Sequence, residues 1–495
     1  MRAFPSASDY TFTMNFLIRP SAEVAIKSKP VRRQQIRQLR QNVSKILRRV
    51  NRDIVVEGSW DRVDVRVPDD VDNERLIALL KCIPGISNFL EVRDYPLTDL
   101  DDIAERALAV FKPHLEGKTF AVRGRRTGEH SFSSADLERK VGAVLLSQTG
   151  ATGVNLKQPH EQVRIEVIHD RYHLVERRFE GLGGYPLGSV ESAVTLISGG
   201  YDSSVATYLT MRRGIRTHFL FFNLGGAAHE VGVKQVAHHL WARYGASHSV
   251  KFISVPFEGV VAEIMRAVDH RHMGVILKRM MLKAAARIAE TTSARALVTG
   301  DAVAQVSSQT LANLNVVDRA SDEVVLRPLI TMDKVEIIRL AGEIGTESYA
   351  RNMPEYCGVI SQKPVTRAKL HRVEEEEAKM DTAVLDQAVE DRVETPIQKI
   401  LDTITTPEDV ELVQTPAVGD VIIDVRHPSE EERAPLHLTN NEILHIPFYE
   451  LNQRVGDLAP DCRYLLYCDR GTMSRMHAGH LKAAGRENIL VYSPA

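Results

Sequence analysis

Between residues 193 and about 370 short apolar runs alternate with helical stretches, and this alternation restricts the chain more than any other feature. "AVTLI" (193–197), "THFLFFNL" (217–224), "VKFISVPF" (250–257) and "ARALVTG" (294–300) are apolar runs of strand length, while "VKQVAHHLWARYG" and "VILKRMMLKAAARIAE" carry apolar residues at helical spacing. Apolar strands separated by helices fold as a doubly wound parallel sheet, which binds ligands at the carboxyl ends of its strands. After the first strand comes "SGGYDSS", two glycines and an aspartate ahead of a helix. Glycine lets backbone approach a ligand, and a helix N-terminus offers unpaired N–H groups, so the turn suits an anion.

The turn is not a Walker A loop, because no lysine follows Gly200. "SGGYDS" resembles the PP-loop of the ATP pyrophosphatases, which release pyrophosphate while adenylating a substrate. That resemblance places Ser198, Gly199, Gly200, Asp202 and Ser203 around the phosphates of ATP. A carboxylate cannot attract a bare polyphosphate, so Asp202 would act through Mg²⁺. "VTGDAVAQVSSQTLANL" puts Gly300 and Asp301 at another strand end, with Gln309 beyond, and "VILKRMM" supplies Lys278 to counter phosphate charge. A lysine on an amphipathic helix is otherwise a solvated one.

At 495 residues the chain has room for roughly three domains of about 150 residues. "MNFLIRPSAEVAIKS" reads as a strand and loop, "VRRQQIRQLRQNVSKILRRV" as a basic helix with apolar Ile36, Leu39, Val43, Ile46 and Leu47, and "DIVVEGSWDRVDVRVP" as two strands. This order suits a ferredoxin-like unit. A second unit over about 90–180 has the basic strand "KTFAVRGRR", a helix start where Ser133 and Asp136 fit a capping box, and two alternating strands within 163–181. "GLGGYPLGSVES" reads as a connector, and 417–495 as a further compact alternation of strands and a helix.

The net charge of −2 hides an asymmetry. Residues 18–50 carry ten Lys/Arg against the single acid Glu23, and 371–412 carry thirteen Asp/Glu against four Lys/Arg. The basic part can attract phosphate, and the acidic stretch reads as a solvated, helical linker. No apolar run approaches the ~20 residues of a membrane span, and "MRAFPSASDYTFT" lacks a signal-peptide layout. With four cysteines and no CxxC pair, a cytosolic setting is expected, where a disulfide would be transient.

In "RYLLYCDRGTMSR" Cys468 ends a strand before a tight loop and a helix, which can aim backbone N–H groups at the sulfur and favour the thiolate. The loop resembles a rhodanese active site, and "DVIIDVRHP" resembles that family's Asp-Val-Arg strand. A small buried cysteine is the plainer reading, and it fits Cys462 and Cys82 better. Cys357, between a proline and a glycine in "RNMPEYCGVISQKP", reads equally as buried or reactive. His229, His238 and His239 show no metal-ligand spacing and read as surface or packing residues.

"SGGYDS", "FFNLGGAAHE", "MGVILKRMM", "VTGDAVAQVSSQTL", "MPEYCGVIS" and "YCDRG", in this order, resemble the bacterial tRNA 4-thiouridine synthases (tRNA sulfurtransferases) in their long form with a C-terminal rhodanese domain. The resemblance covers residues 14–495. Family members begin at about Met14, so the true start is Met14 or the first thirteen residues form a short tail. It implies a multidomain α/β and α+β chain: a ferredoxin-like domain at 14–74, a THUMP RNA-binding domain at 75–178, a doubly wound PP-loop ATPase domain at 179–370, an acidic linker at 371–416 and a rhodanese-like domain at 417–495. Leu196, Ile197, Lys278, Gly300 and Gln309 match the family's ATP-contacting positions, and Lys27, Lys29, Arg32, Arg33, Arg123, Arg125 and Arg126 are the candidates for RNA.

The implied reaction is adenylation of a uridine O4 in tRNA by ATP with Mg²⁺. Sulfur from a Cys468 persulfide then replaces the oxygen, and Cys357 acts as the resolving thiol in a transient disulfide with Cys468. No permanently bound cofactor is expected. Implied partners are tRNA, a cysteine desulfurase, the sulfur-carrier protein of thiamine thiazole synthesis and a thiol reductant, in the cytoplasm and with a homodimer in view. The rival readings are a PP-loop synthetase acting on a small molecule, a rhodanese sulfur carrier for thiazole synthesis alone, and a non-enzymatic RNA-binding scaffold.

Overall fold

The computed structural model describes residues 14–494, apart from 60, 69, 225, 352, 354–362, 405–409, 427–430, 432, 433, 448–450, 452, 453 and 470, and without the side chains of 14, 226–228, 472, 473 and 476. It divides into two units, 1–189 with 212–214, and 190–211 with 215–495. Among the described residues the first unit holds one eight-stranded sheet and the second a six-stranded and a five-stranded sheet.

The first unit's strands are Met14–Pro20 (β1), Val55–Gly58 (β2), Val63–Val67 (β3), Ile86–Pro96 (β4), Thr119–Thr127 (β5), Gly153–Val154 (β6), Glu161–Ile168 (β7) and Arg171–Glu180 (β8). Their order is β2-β3-β1-β4-β8-β7-β5-β6. Sequence reading separates a ferredoxin-like unit from a second unit, yet one sheet runs through both. The long strand β4 pairs antiparallel with β1 through Leu17↔Leu90 and with β8 through Val92↔Val175.

The basic helix Lys29–Leu47 (α1) forms as its periodicity predicts, with Pro30 in its first turn and Ile36, Leu39, Val43, Ile46 and Leu47 buried. Each fully buried side chain of this kind contributes about 1.5–3 kcal/mol. Ser133 and Asp136 form the predicted capping box at the start of the helix Ser134–Gln148 (α2).

In the second unit Val190–Leu196 (β9), Ile215–Asn223 (β10), Lys251–Pro256 (β11), Ala296–Val298 (β12), Val324–Leu326 (β13) and Val393–Pro396 (β14) are ordered β13-β12-β9-β10-β11-β14. All neighbours are parallel except β11 and β14. From β9 the chain crosses through the helix Tyr201–Arg212 (α3) to β10 on one side, while β12 lies on the other. The crevice beyond the carboxyl end of β9 is therefore a topological switch point, where such sheets bind ligands.

The expected acidic linker is folded over most of its length. Val373 of the helix Leu370–Glu377 and Leu385 and Val389 of Ala383–Glu390 are buried, and β14 then adds to the sheet edge with Lys251 Nζ 2.6 Å from Glu394. Glu377 is bound by Arg279 and Lys283, so part of the acidity neutralises a helix of the domain before it. The charge count hid this, because apolar residues at helical spacing sit among the acids.

The last sheet comprises Leu412–Val413 (β15), Val421–Asp424 (β16), Ile443–His445 (β17), Tyr464–Tyr467 (β18) and Ile489–Tyr492 (β19), in the parallel order β15-β19-β18-β16-β17. The helix Thr472–Ala483 (α4) follows β18 and packs on Gly226–Leu240 (α5) of the preceding domain. Among the described residues no helix is long and apolar enough to cross a membrane.

Candidate adenylation and sulfur-transfer sites

Leu196 ends β9, and Ile197 continues it, its N–H donating to the Leu220 carbonyl at 2.8 Å. The turn that follows is held from within. Ser198 N–H donates to Ser203 Oγ at 3.1 Å, and Ser204 Oγ donates to the Gly200 carbonyl at 2.8 Å. Gly199 has φ +79°, a conformation that favours glycine, and a Cβ there would push on the tip of the Met353 side chain, 2.5 Å away. A Cβ on Gly300 would lie 2.7 Å from Asp202 C and Ser203 N. The two strand-end turns quoted from sequence are therefore packed backbone to backbone.

Asp202, in the first turn of α3, receives Lys334 Nζ at 2.8 and 3.0 Å on its two oxygens and Gln305 Nε2 at 2.8 Å on Oδ2. Neither partner is among the residues predicted from sequence. Lys334 opens the helix Lys334–Ile344, whose N-cap Asp333 accepts the Glu336 N–H. A lysine opposes the dipole in a helix's first turn, and that local misfit is the sequence signal that could have flagged it.

Lys278 and Gln309 also converge, on Asp301. Its carboxylate accepts Lys278 Nζ at 2.5 Å, Thr299 Oγ1 at 2.7 Å, Gln309 Nε2 at 3.1 Å and Arg327 Nε at 3.2 Å. Burial raises the affinity of Asp301 for a proton, but Lys278, Thr299 and Arg327 outweigh it and hold the carboxyl well below the usual carboxylate range. Lys278 is thus not simply a solvated lysine, since a buried carboxylate fixes it at the strand ends. Arg327, which also holds Asp318, is a second cation that sequence reading missed.

The residues present fit a Mg²⁺ brought in with a nucleotide. A single half-exposed carboxylate, held by flexible side chains, suits a cation whose other ligands are phosphate oxygens and water. Elsewhere Asp424, Glu431 and His445 bring three possible ligand atoms within 4.8 Å of one another. There the buried, planar Arg426 guanidinium holds both oxygens of Asp424, at 2.6 and 2.9 Å, and unlike the half-exposed Lys334 ammonium on Asp202 it cannot swing aside for a cation.

Cys468 follows β18 directly. Its sulfur accepts the Ser474 N–H at 3.3 Å and donates to Ser474 Oγ at 3.4 Å, while Ser474 Oγ bonds the Gly471 carbonyl at 3.2 Å. Gly471, at φ +68°, makes the tight turn into α4. The expected N–H donor is therefore in place. The burial expectation is reversed: Cys468 is 7% exposed, and Cys82 and Cys462 are only half-buried. Cys357 lies outside the described residues.

Of the two alternatives read for His229, surface or packing, the structure gives packing, and His477 is buried as well. His229, on α5, bonds the Ser198 carbonyl at 3.3 Å through Nε2, and burial together with the neighbouring His477 pushes it down to about 3. Burial pushes His477, on α4, down to about 4. His238 and His239 line an open cleft with Arg243 and Tyr349.

In the first unit Lys27, Lys29 and Arg33 are exposed, and Arg32 is half-buried, donating to the Ala25 carbonyl at 3.3 Å. On β5 Arg123 and Arg125 share one exposed face, whereas Arg126 points to the other and bonds the His130 carbonyl at 3.3 Å. The basic strand thus presents two of its three arginines together.

A family model described as the thiamine biosynthesis protein (ThiI) matches residues 188–382, one for the ThiI ferredoxin-like domain matches 15–89, and one for the THUMP domain matches 98–175. A tRNA sulfurtransferase of Marinobacter nauticus is 69% identical over 97% of this chain and all of that protein. One of Pseudomonas aeruginosa is 50% identical over the same shares. Among solved structures, a 4-thiouridine synthetase in complex with RNA and bound ATP has a TM-score of 0.70 and 25% identity, covering 78% of this chain and 99% of that one. With such identity along nearly its whole length, the chain belongs to the tRNA sulfurtransferase family.

Proposed function

We propose that the chain adenylates O4 of a uridine in tRNA with ATP and replaces that oxygen with sulfur carried on Cys468, giving 4-thiouridine. The observation that carries this reading is the packing of Gly300 on the Asp202–Ser203 backbone, which joins Asp202, Lys334, Lys278 and Gln309 at the carboxyl ends of the interior strands β9 and β12. A uracil oxygen is a poor leaving group, so it attacks the α-phosphorus and pyrophosphate departs. The turn 198–203 and Lys278 hold the phosphates, Lys334 balances Asp202, and a Mg²⁺ on Asp202 would offset the charge of the departing pyrophosphate.

The terminal sulfur of a Cys468 persulfide, loaded by a cysteine desulfurase, bonds to C4 as AMP leaves. Cys357 then attacks Cys468 Sγ, its thiol proton going to solvent. The S–S bond breaks towards the nucleoside, a Cys357–Cys468 disulfide forms, and a thiol reductant reopens it. The same balance holds if Cys357 first frees sulfide, which attacks C4 in turn. A five-stranded parallel sheet with Cys468 at a strand end and an N–H on its sulfur supports the rhodanese-like reading of 417–495. Arg123 and Arg125, with the exposed face of α1, are the proposed tRNA contacts, made to phosphate and shape. Delivery of sulfur for the thiamine thiazole rests on the matched family's description, and thiazole formation with 417–495 alone would test it.

The test is mass spectrometry of nucleosides from tRNA incubated with the chain, Mg-ATP, a desulfurase and cysteine. 4-Thiouridine is expected with wild type and absent with Cys468→Ala and with Asp202→Ala. No product from wild type, with ATP consumed on another acceptor, would replace the tRNA reading with the small-molecule synthetase.

A further inference from the structure

Ala304 has φ +61° in the turn 302–306, a left-handed conformation that disfavours a residue with a Cβ. The turn is pinned in that shape by Val303 N–H on the Ile330 carbonyl at 3.1 Å and Ala304 N–H on the Gln309 carbonyl at 3.0 Å. Val303, Ala304, Gln305 and Val306 are all exposed, so the strain serves no burial. What the shape does achieve is to aim Gln305 at Asp202, with Nε2 donating to Oδ2 at 2.8 Å. Only the amide nitrogen can face an ionised carboxylate, which fixes the side chain's orientation.

We propose that Gln305 is a positioning residue for Asp202, and that the strained turn at Ala304 exists to hold it there. The division of labour follows from the donors. Lys334 Nζ is a point charge on a flexible stem and bonds both carboxylate oxygens, at 2.8 and 3.0 Å, so it sets the charge without fixing the carboxylate plane. The amide adds a directional donor on Oδ2 alone and so, with Lys334, sets that plane, and a nucleotide-bound cation would approach Oδ1, where only the mobile Lys334 ammonium has to give way. This rests on the ATP reading proposed above.

The experiment uses the full chain with Gln305→Ala, Gln305→Leu, Ala304→Gly and Asp202→Ala. It measures Mg-ATP affinity by calorimetry, the Mg²⁺ midpoint of pyrophosphate release at fixed ATP, and Tm. Both Gln305 variants should weaken Mg-ATP binding and raise the Mg²⁺ midpoint by about five- to tenfold, the effect of losing one hydrogen bond to a charged group at a part-exposed site. Their Tm should not change, because Gln305 is exposed. Ala304→Gly relieves the backbone and should raise Tm while weakening Mg-ATP about two- to threefold. Wild-type affinity and Mg²⁺ midpoint in both Gln305 variants, with binding lost in Asp202→Ala, would overturn the proposal and leave the ATP reading intact. Retention of Mg-ATP binding by Asp202→Ala would overturn both. Ala304→Gly with wild-type affinity would remove the function assigned to the strain.

Discussion

Gly300→Ala adds one methyl group at the tightest junction of the candidate site. The new Cβ would stand 2.7 Å from Asp202 C and Ser203 N and 3.0 Å from Asp202 O, all backbone atoms with no rotamer to swing aside. Restoring an ordinary contact of 3.4 Å parts the two turns by about 0.7 Å. Overpacking of this kind costs about 1–3 kcal/mol of stability. Because a misplacement of about 1 Å can cost a hundredfold in rate, kcat/KM for ATP should fall by about ten- to a hundredfold. Thermal unfolding and pyrophosphate release measure the two effects. Gly259→Ala, where the added methyl meets nothing within 4 Å in a helix, is the control and should be neutral or stabilising. Wild-type Tm and wild-type KM for ATP in Gly300→Ala would refute the idea that this contact sets the phosphate turn.

His229 and His477 are both pushed down by burial, so the native state binds fewer protons than the unfolded chain below the ordinary value of 6.5. Stability should therefore fall as pH drops from 6.5 toward 5, on the order of 2 kcal/mol for each. Urea midpoints across that range should show the fall, and His477→Leu should flatten it; Glu230, Lys234 and His480 are the charged or titratable groups nearby. Arg426→Met leaves Asp424 buried without its cation and should cost about 3–5 kcal/mol in the urea midpoint, with Asp424→Asn added to it recovering part of the loss. Arg123→Gln with Arg125→Gln should weaken tRNA binding and flatten the plot of log affinity against log salt by about 1.5–2; an unchanged slope takes these residues out of the RNA contact.

The sites legible in the sequence were those written in contiguous residues. "SGGYDS" and "VTGD" lie where a strand ends, so reading the strand located the turn, and "YCDRG" gave both the thiol and the helix behind it. What sequence reading missed comes from far along the chain. Lys334 stands 132 residues from Asp202 and Gln305 stands 103, and no local pattern links them. Burial was legible only where periodicity was clean. Ile36, Leu39 and Val43 repeat at helical spacing and are buried as that spacing predicts, whereas the acids around Val373, Leu385 and Val389 hide the same pattern. The merging of two expected domains into one sheet turned on β4, whose apolar "ISNFLEV" continues into polar "RDYP" and so does not read as one long strand.

The edge strand β14 acts as a mooring. Because Val393–Pro396 is hydrogen-bonded into the sheet and the turn Leu401–Thr403 then lies on α5, the C-terminal sheet is leashed from that point. Nine residue steps separate Thr403 from Leu412 of β15, and no chain of that length spans more than about 30 Å. Under the sulfur transfer proposed above, the travel of Cys468 is bounded by that span plus its own distance from Leu412. A group tied to the same chain by so few residues meets the sheet at a concentration that does not depend on how much protein is present.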